Sequence, residues 1–116
     1  MEQKIKVDFS KEAEMVFDSL KNNSTRSKKA RMIYGAVCRS IELIKNDTHH
    51  GCPIAKNKVP QKYVKLYDAN NLFRVELPCY WRLLYTMTNN KIEIVAFMVD
   101  IISHIEYNKI FGYKKR

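Results

Sequence analysis

The segment LFRVELPCYWRLLY, residues 72–85, alternates apolar and polar residues on both sides of Pro78-Cys79-Tyr80, the pattern of a β-hairpin. A three-residue turn at Pro78-Cys79-Tyr80 sets Leu77 opposite Trp81, Val75 opposite Leu83 and Phe73 opposite Tyr85. Directly opposed residues share a face of the sheet, so these six side chains form one apolar face. The other face carries Arg74, Glu76 and Arg82, with Leu84 beside them. A two-residue turn would shift the register by one and mix the two sets, which a buried face penalises. The expected sheet therefore has a packed side and an open side bearing two arginines around a carboxylate. As a plain solvent-exposed ion pair, that group would contribute at most ~1 kcal/mol.

Working outward, Tyr80–Met87 reads as one strand and Lys91–Val99 as the next, joined by Thr88-Asn89-Asn90. Asp100 to Phe111 suits a short helix, with Gly112 as its stop. On the other side, Asp68-Ala69-Asn70-Asn71 suits a turn and Tyr63–Tyr67 a further strand. Residues 46–60, NDTHHGCPIAKNKVP, have no period and read as a loop. Before it lie two helices. Ser10 is a good N-cap for the first, with Glu12 and Glu14 in the first turn and Ala13, Val16, Phe17 and Leu20 at helical spacing. The second is expected from Thr25 to Lys45, with Ala30, Ile33, Tyr34, Val37, Ile41 and Ile44 as its apolar stripe. Lys28, Lys29 and Arg31 stand near its start, where the helix dipole disfavours positive charge. Ile5 and Val7 alternate with Lys4 and Lys6 in a short edge strand. The expected fold is α+β: two N-terminal helices on a small, mainly antiparallel sheet of about four strands, with a short C-terminal helix.

Length and charge agree with that picture. A chain of 116 residues is expected to form one domain spanning 1–116. Lys and Arg total 21 against 12 Asp and Glu, a net charge of +9, which favours polyanionic partners. The longest apolar run, Ile94–Val99, is far short of the ~20 residues that span a bilayer, so no membrane partner is expected. The three cysteines, Cys38, Cys52 and Cys79, form no CxxC motif, and reduced thiols in the cytoplasm are the expectation. His49, His50 and Cys52 crowd one loop without a second ligand cluster, and plain loop residues are expected rather than a metal site. No P-loop, GxGxxG or Ser-His-Asp elbow is present, and Cys79 has no neighbouring base to activate it. No metal or cofactor is called for. Lys56, Lys58, Lys62 and Lys65, with Tyr63 and Tyr67 among them, suit a phosphate-binding surface with stacking rings. Phe111 and Tyr113, ahead of Lys114-Lys115-Arg116, suit either a tail held to the body or one wrapping RNA.

The run Leu72-Phe73-Arg74-Val75-Glu76-Leu77, then Trp81-Arg82-Leu83-Leu84-Tyr85, a polar turn, an apolar strand and His104-Ile105-Glu106-Tyr107 resembles the RelE/ParE superfamily of toxins. The order of helices and strands fits over nearly the whole chain, and Trp81–Tyr85 is the most specific part. The resemblance implies a toxin of a type II toxin–antitoxin system. RelE-like members are basic ribonucleases that cut mRNA without a metal, commonly in the ribosomal A site. ParE-like members share the fold but poison DNA gyrase. Either would be neutralised by a cognate antitoxin, an acidic helix or strand covering the basic face. The alternatives to a ribonuclease are thus a ParE-like gyrase inhibitor or a catalytically silent nucleic-acid-binding protein.

Metal-free RNA cleavage needs a base for the 2′-hydroxyl, an acid for the departing 5′-oxygen and cations for the phosphoryl oxygens. By resemblance, Arg82 matches the family arginine and Arg74 a basic position on the preceding strand, and both suit phosphate. Glu76 is placed to accept a proton, while His104 and Tyr107 fall near the family's C-terminal histidine or tyrosine. The chain departs from RelE at two places: Glu76 stands where RelE has a lysine, and Asp100-Ile101-Ile102 holds no arginine after the last strand.

Overall fold

The computed structural model describes residues 4–89 and 93–112. The strands are β1 (Lys4–Phe9), β2 (Cys52–Pro53), β3 (Phe73–Leu77), β4 (Trp81–Asn89) and β5 (Glu93–Ser103). The helices are α1 (Lys11–Asn23), α2 (Lys28–Asn46), α3 (Gln61–Tyr67) and α4 (His104–Phe111), with 3₁₀ turns at Lys56–Lys58 and Pro78–Tyr80. The fold is α+β around a five-stranded sheet ordered β1-β5-β4-β3-β2. The sheet is mixed: β1 runs parallel to β5, and the other neighbours are antiparallel. It has five strands where about four are expected, and β2 lies within residues 46–60, expected to be loop. Asn90, the start of the expected strand at Lys91, and Tyr113 to Arg116 lie outside the described residues.

The hairpin has the expected register, Leu77 opposite Trp81 and Phe73 opposite Tyr85. Its apolar face packs under α1 and α2, where Ala13, Ile33, Val37 and Ile44 meet Val75, Leu83, Tyr85 and Met98. Ser10 caps α1, its Oγ accepting from the Ala13 N–H at 3.0 Å. Helix α2 starts three residues later than expected because Ser27, not a residue before it, is the N-cap. Arg31, one of the cations at this unfavourable end, donates to the Ser24 carbonyl at 3.0 Å and so ties the α1–α2 turn.

Two further expectations fail. Tyr63–Tyr67 is not a strand but part of α3. Five residues fit either period; Pro60 and Asp68 decide between them. Pro60 presets φ at the N-cap, and Asp68 turns left-handed (φ 54°) to close the helix on the Tyr63 and Val64 carbonyls. Helical spacing then puts Tyr63 and Tyr67 on one side, their rings stacked at 6.3 Å. The last strand also runs on through Asp100 to Ser103 instead of yielding to a helix at Asp100. Leu84 pairs with Asp100 and Tyr85 with Met98, so Val99 is an extra residue in a β-bulge. The bulge turns Val99 and Asp100 to the same face, which hides the alternation. Ser10 takes up the backbone there, donating from N to the Met98 carbonyl and from Oγ to the Val99 carbonyl, both at 2.8 Å.

Candidate functional site

Opposite the α1–α2 side, α3 and α4 cover the sheet over a second core of Tyr63, Leu72, Leu84, Val99, Ile102 and Tyr107. The face expected to be open is therefore partly roofed. Arg74, Glu76 and Arg82 lie beside that roof, with side chains 35%, 59% and 19% exposed. Register alone brings them together: Glu76 lies directly across from Arg82, and Arg74 is two residues along the same strand face. The Glu76 carboxylate bridges both cations, Oε1 at 3.1 Å from Arg74 Nε and Oε2 at 3.2 Å from Arg82 Nε. Both Nε atoms are shielded from solvent, and neither N–H is aligned for a hydrogen bond, so these contacts are ion pairs.

Tyr107 closes the group from α4. Its hydroxyl accepts a hydrogen bond from Arg74 Nη1 at 3.0 Å. Its ring lies under both guanidinium carbons, 5.3 Å from that of Arg82 and 5.8 Å from that of Arg74. The Tyr107 hydrogen bond, joined by the charge of Glu76, holds the Arg74 pKa above its ordinary value despite partial burial. Two guanidinium groups and one carboxylate leave a net positive cluster with a phenol at its edge. Such a cluster can hold an oxyanion on the cations beside a carboxylate able to accept a proton.

His104 is not within this set. It is exposed at the first turn of α4, and its ring stands edge-on to Tyr80, centroids 5.6 Å apart. It lies one helical turn from Tyr107 rather than against the arginines. The four lysines are exposed, Lys56 and Lys58 on the 3₁₀ turn and Lys62 and Lys65 on the outer side of α3. Of the tyrosines among them, Tyr63 has no face open to a ligand, while Tyr67 is half-buried. Tyr63 is fully buried and donates to Asp100 Oδ2 at 2.7 Å, and Tyr67 donates to Glu12 Oε2 at 2.9 Å. Burial pushes the Tyr63 phenol well up and raises the Asp100 carboxyl, the latter in spite of the hydrogen bond from Tyr63.

Among the described residues no group of three His, Cys, Asp or Glu side chains is placed to hold a metal ion. The His49 ring stands edge-on against Phe73 at 5.6 Å. Cys52 is exposed directly across β2–β3 from Arg74. Among the described residues no helix is long and apolar enough to cross a membrane.

Sequence reasoning passed over Tyr80, which is 74% exposed in the β3–β4 turn. Its signal was available: a large aromatic inside a tight turn has little to pack against. No family model matches the chain, and no curated protein is significantly similar to it.

Proposed function

We propose that this chain is a toxin of the RelE/ParE type that cuts mRNA without a metal and is held in check by an acidic antitoxin. The observation that carries the reading is the Arg74–Glu76–Arg82 cluster closed by the Tyr107 hydroxyl. In this scheme Arg74 and Arg82 bind the scissile phosphate and offset the charge that grows on its oxygens. Glu76 takes the proton of the attacking 2′-hydroxyl. The phosphate–5′-oxygen bond breaks as the new bond forms, and Tyr107 or His104 protonates the departing oxygen. The lysines of the 3₁₀ turn and α3 extend the phosphate-binding surface, on free mRNA or on the ribosome.

One observation favours the second reading, a ParE-like or catalytically silent binder. Tyr107 is only 4% exposed and its hydroxyl already accepts from Arg74, so a proton donor there must first be uncovered. Inducible expression of the wild type and Arg82→Ala, with mapping of mRNA 5′ ends, separates the two. Growth arrest with new 5′ ends that vanish in a folded Arg82→Ala protein supports the ribonuclease. Arrest with intact mRNA and trapped gyrase–DNA complexes supports the ParE-like reading. No arrest at all removes both toxin readings and leaves the silent binder.

A further inference from the structure

The turn between β3 and β4 holds its backbone in a shape its residues do not favour. Cys79 and Tyr80 both have left-handed φ, 63° and 62°, where a Cβ crowds the following carbonyl. Glycine would relieve this, yet neither position has it. Tyr80 in this strained turn is 74% exposed, and the His104 ring stands edge-on to its ring at 64°. His104 and Tyr107 are neighbours on one side of α4, about 5–6 Å apart at Cβ. Tyr80 thus touches the residue one helical turn along α4 from the ring that carries both guanidinium groups.

A solvent-exposed ring held out against backbone strain does little for the fold, and strain retained in this way points to an external contact. The neighbouring charges select what that contact is. A phosphate on the arginine pair puts its own or the adjacent base within reach of Tyr80, and every base offers a face to stack. Bases within a duplex already stack on one another, so the strand must be single. We infer that Tyr80, propped by His104, is a stacking platform for a base of single-stranded RNA whose phosphate lies on Arg74 and Arg82. The inference rests on the RNA reading above and adds the residue that grips the base.

The test uses a short single-stranded RNA, 2′-O-methylated throughout to block cleavage, and its fully abasic counterpart. Binding is compared for the wild type, Tyr80→Ala, Tyr80→Phe and Arg82→Ala. Tyr80→Ala is expected to bind the base-bearing strand about 5- to 150-fold more weakly than wild type, and Tyr80→Phe to bind it normally. The Tyr80 variants should bind the abasic strand like wild type, whereas Arg82→Ala should lose affinity for both strands. Tyr80→Gly should melt at a higher temperature than wild type and still bind weakly, because it loses both the strain and the ring. Equal binding of the base-bearing strand by wild type and Tyr80→Ala overturns the platform and leaves the RNA reading standing. A Tyr80→Ala loss that persists on the abasic strand does the same. If wild type binds neither strand at low salt, the RNA reading itself falls, and the platform with it.

Discussion

Arg74 Nη1 donates to the Tyr107 hydroxyl at 3.0 Å, joining a strand residue to a helix residue 33 positions away. The same tyrosine stacks on Phe111 of its own helix with centroids 4.2 Å apart and is buried in the core against Leu84, Val99 and Ile102, so one side chain both anchors α4 and positions a cation. Tyr107→Phe keeps the ring and removes the acceptor, and should cost about 1–3 kcal/mol in urea denaturation. Tyr107→Ala also empties core volume and should cost about 3–5 kcal/mol. If Tyr107 is the proton donor, the Phe variant should cleave RNA about 10²- to 10⁴-fold more slowly. Unchanged cleavage by a stable Phe variant would remove it from that role.

Glu76 holds two cations that a phosphate would otherwise share. Glu76→Gln removes the competing charge while keeping the side-chain shape. RNA binding should therefore tighten, while cleavage should slow by about 10²- to 10⁴-fold if the carboxylate is the base. Stability should change by no more than ~1 kcal/mol, since Glu76 is mostly exposed. Weaker RNA binding by the glutamine variant would contradict a site built to receive a phosphate.

The hairpin was legible because one register alone sorts Phe73 to Tyr85 into a clean apolar face, and the same register placed Arg74, Glu76 and Arg82 together. Ser10 and Gly112 were legible as caps because their chemistry is local. What sequence reading lost was decided partly by Pro60 and Asp68 at the ends of α3 and partly at a distance. Helix α3 is fixed in part by Asp100 and Glu12, 37 and 55 positions from the tyrosines they hold. The end of β5 was hidden by the Val99–Asp100 bulge, which breaks the period that marks a strand. The roof beside the arginines went unread for the same two reasons, since a strand at 63–67 would leave that face of the sheet open. Spacing alone never brought Tyr107 to Arg74; only the family resemblance pointed there.

Asp100 is raised above its ordinary 3.8 mainly by burial, so the folded state binds its proton more tightly than the unfolded chain does. Its contribution to stability is therefore greatest below 3.8 and is lost as pH rises through the raised folded value. The groups around it, Tyr63, Lys62, Glu12 and Glu106, reduce this shift or add to it. Asp100→Asn keeps an oxygen for the Tyr63 hydroxyl and removes the charge. It should melt at a higher temperature than wild type at neutral pH, with the gap closing toward 3.8. A gap that stays constant across that range would show that burial of the charge is not its origin.

Gly51 sits where any side chain would crowd its neighbours. A Cβ there would meet the Tyr85 ring at 2.9 Å and the Arg74 carbonyl oxygen at 3.1 Å. Its N–H donates to the Tyr85 hydroxyl at 2.9 Å, and that hydroxyl donates on to the Thr48 carbonyl at 2.9 Å. Gly51→Ala should therefore destabilise by about 1–3 kcal/mol through overpacking. Tyr85→Phe should cost a similar ~1–3 kcal/mol by leaving the Gly51 N–H and Thr48 carbonyl unpaired. Since both act on one contact, the double variant should lose less than the sum. Strict additivity in denaturation would refute a shared clamp.

The four lysines can be separated from the arginine cluster by salt. Lys56, Lys58, Lys62 and Lys65 are exposed, and among the described residues no ion pair engages them. Changing all four to Gln should shift stability by no more than ~0.5 kcal/mol per site. If each meets a phosphate of a single strand, the slope of log affinity against log salt should fall by about 0.7 per lysine, or nearly 3 in all. Arg82→Ala should move the same slope by only about one such step while abolishing cleavage. An unchanged slope in the quadruple variant would mean that the strand leaves the arginines in another direction and never crosses α3. The basic turn and helix would then face a partner other than RNA.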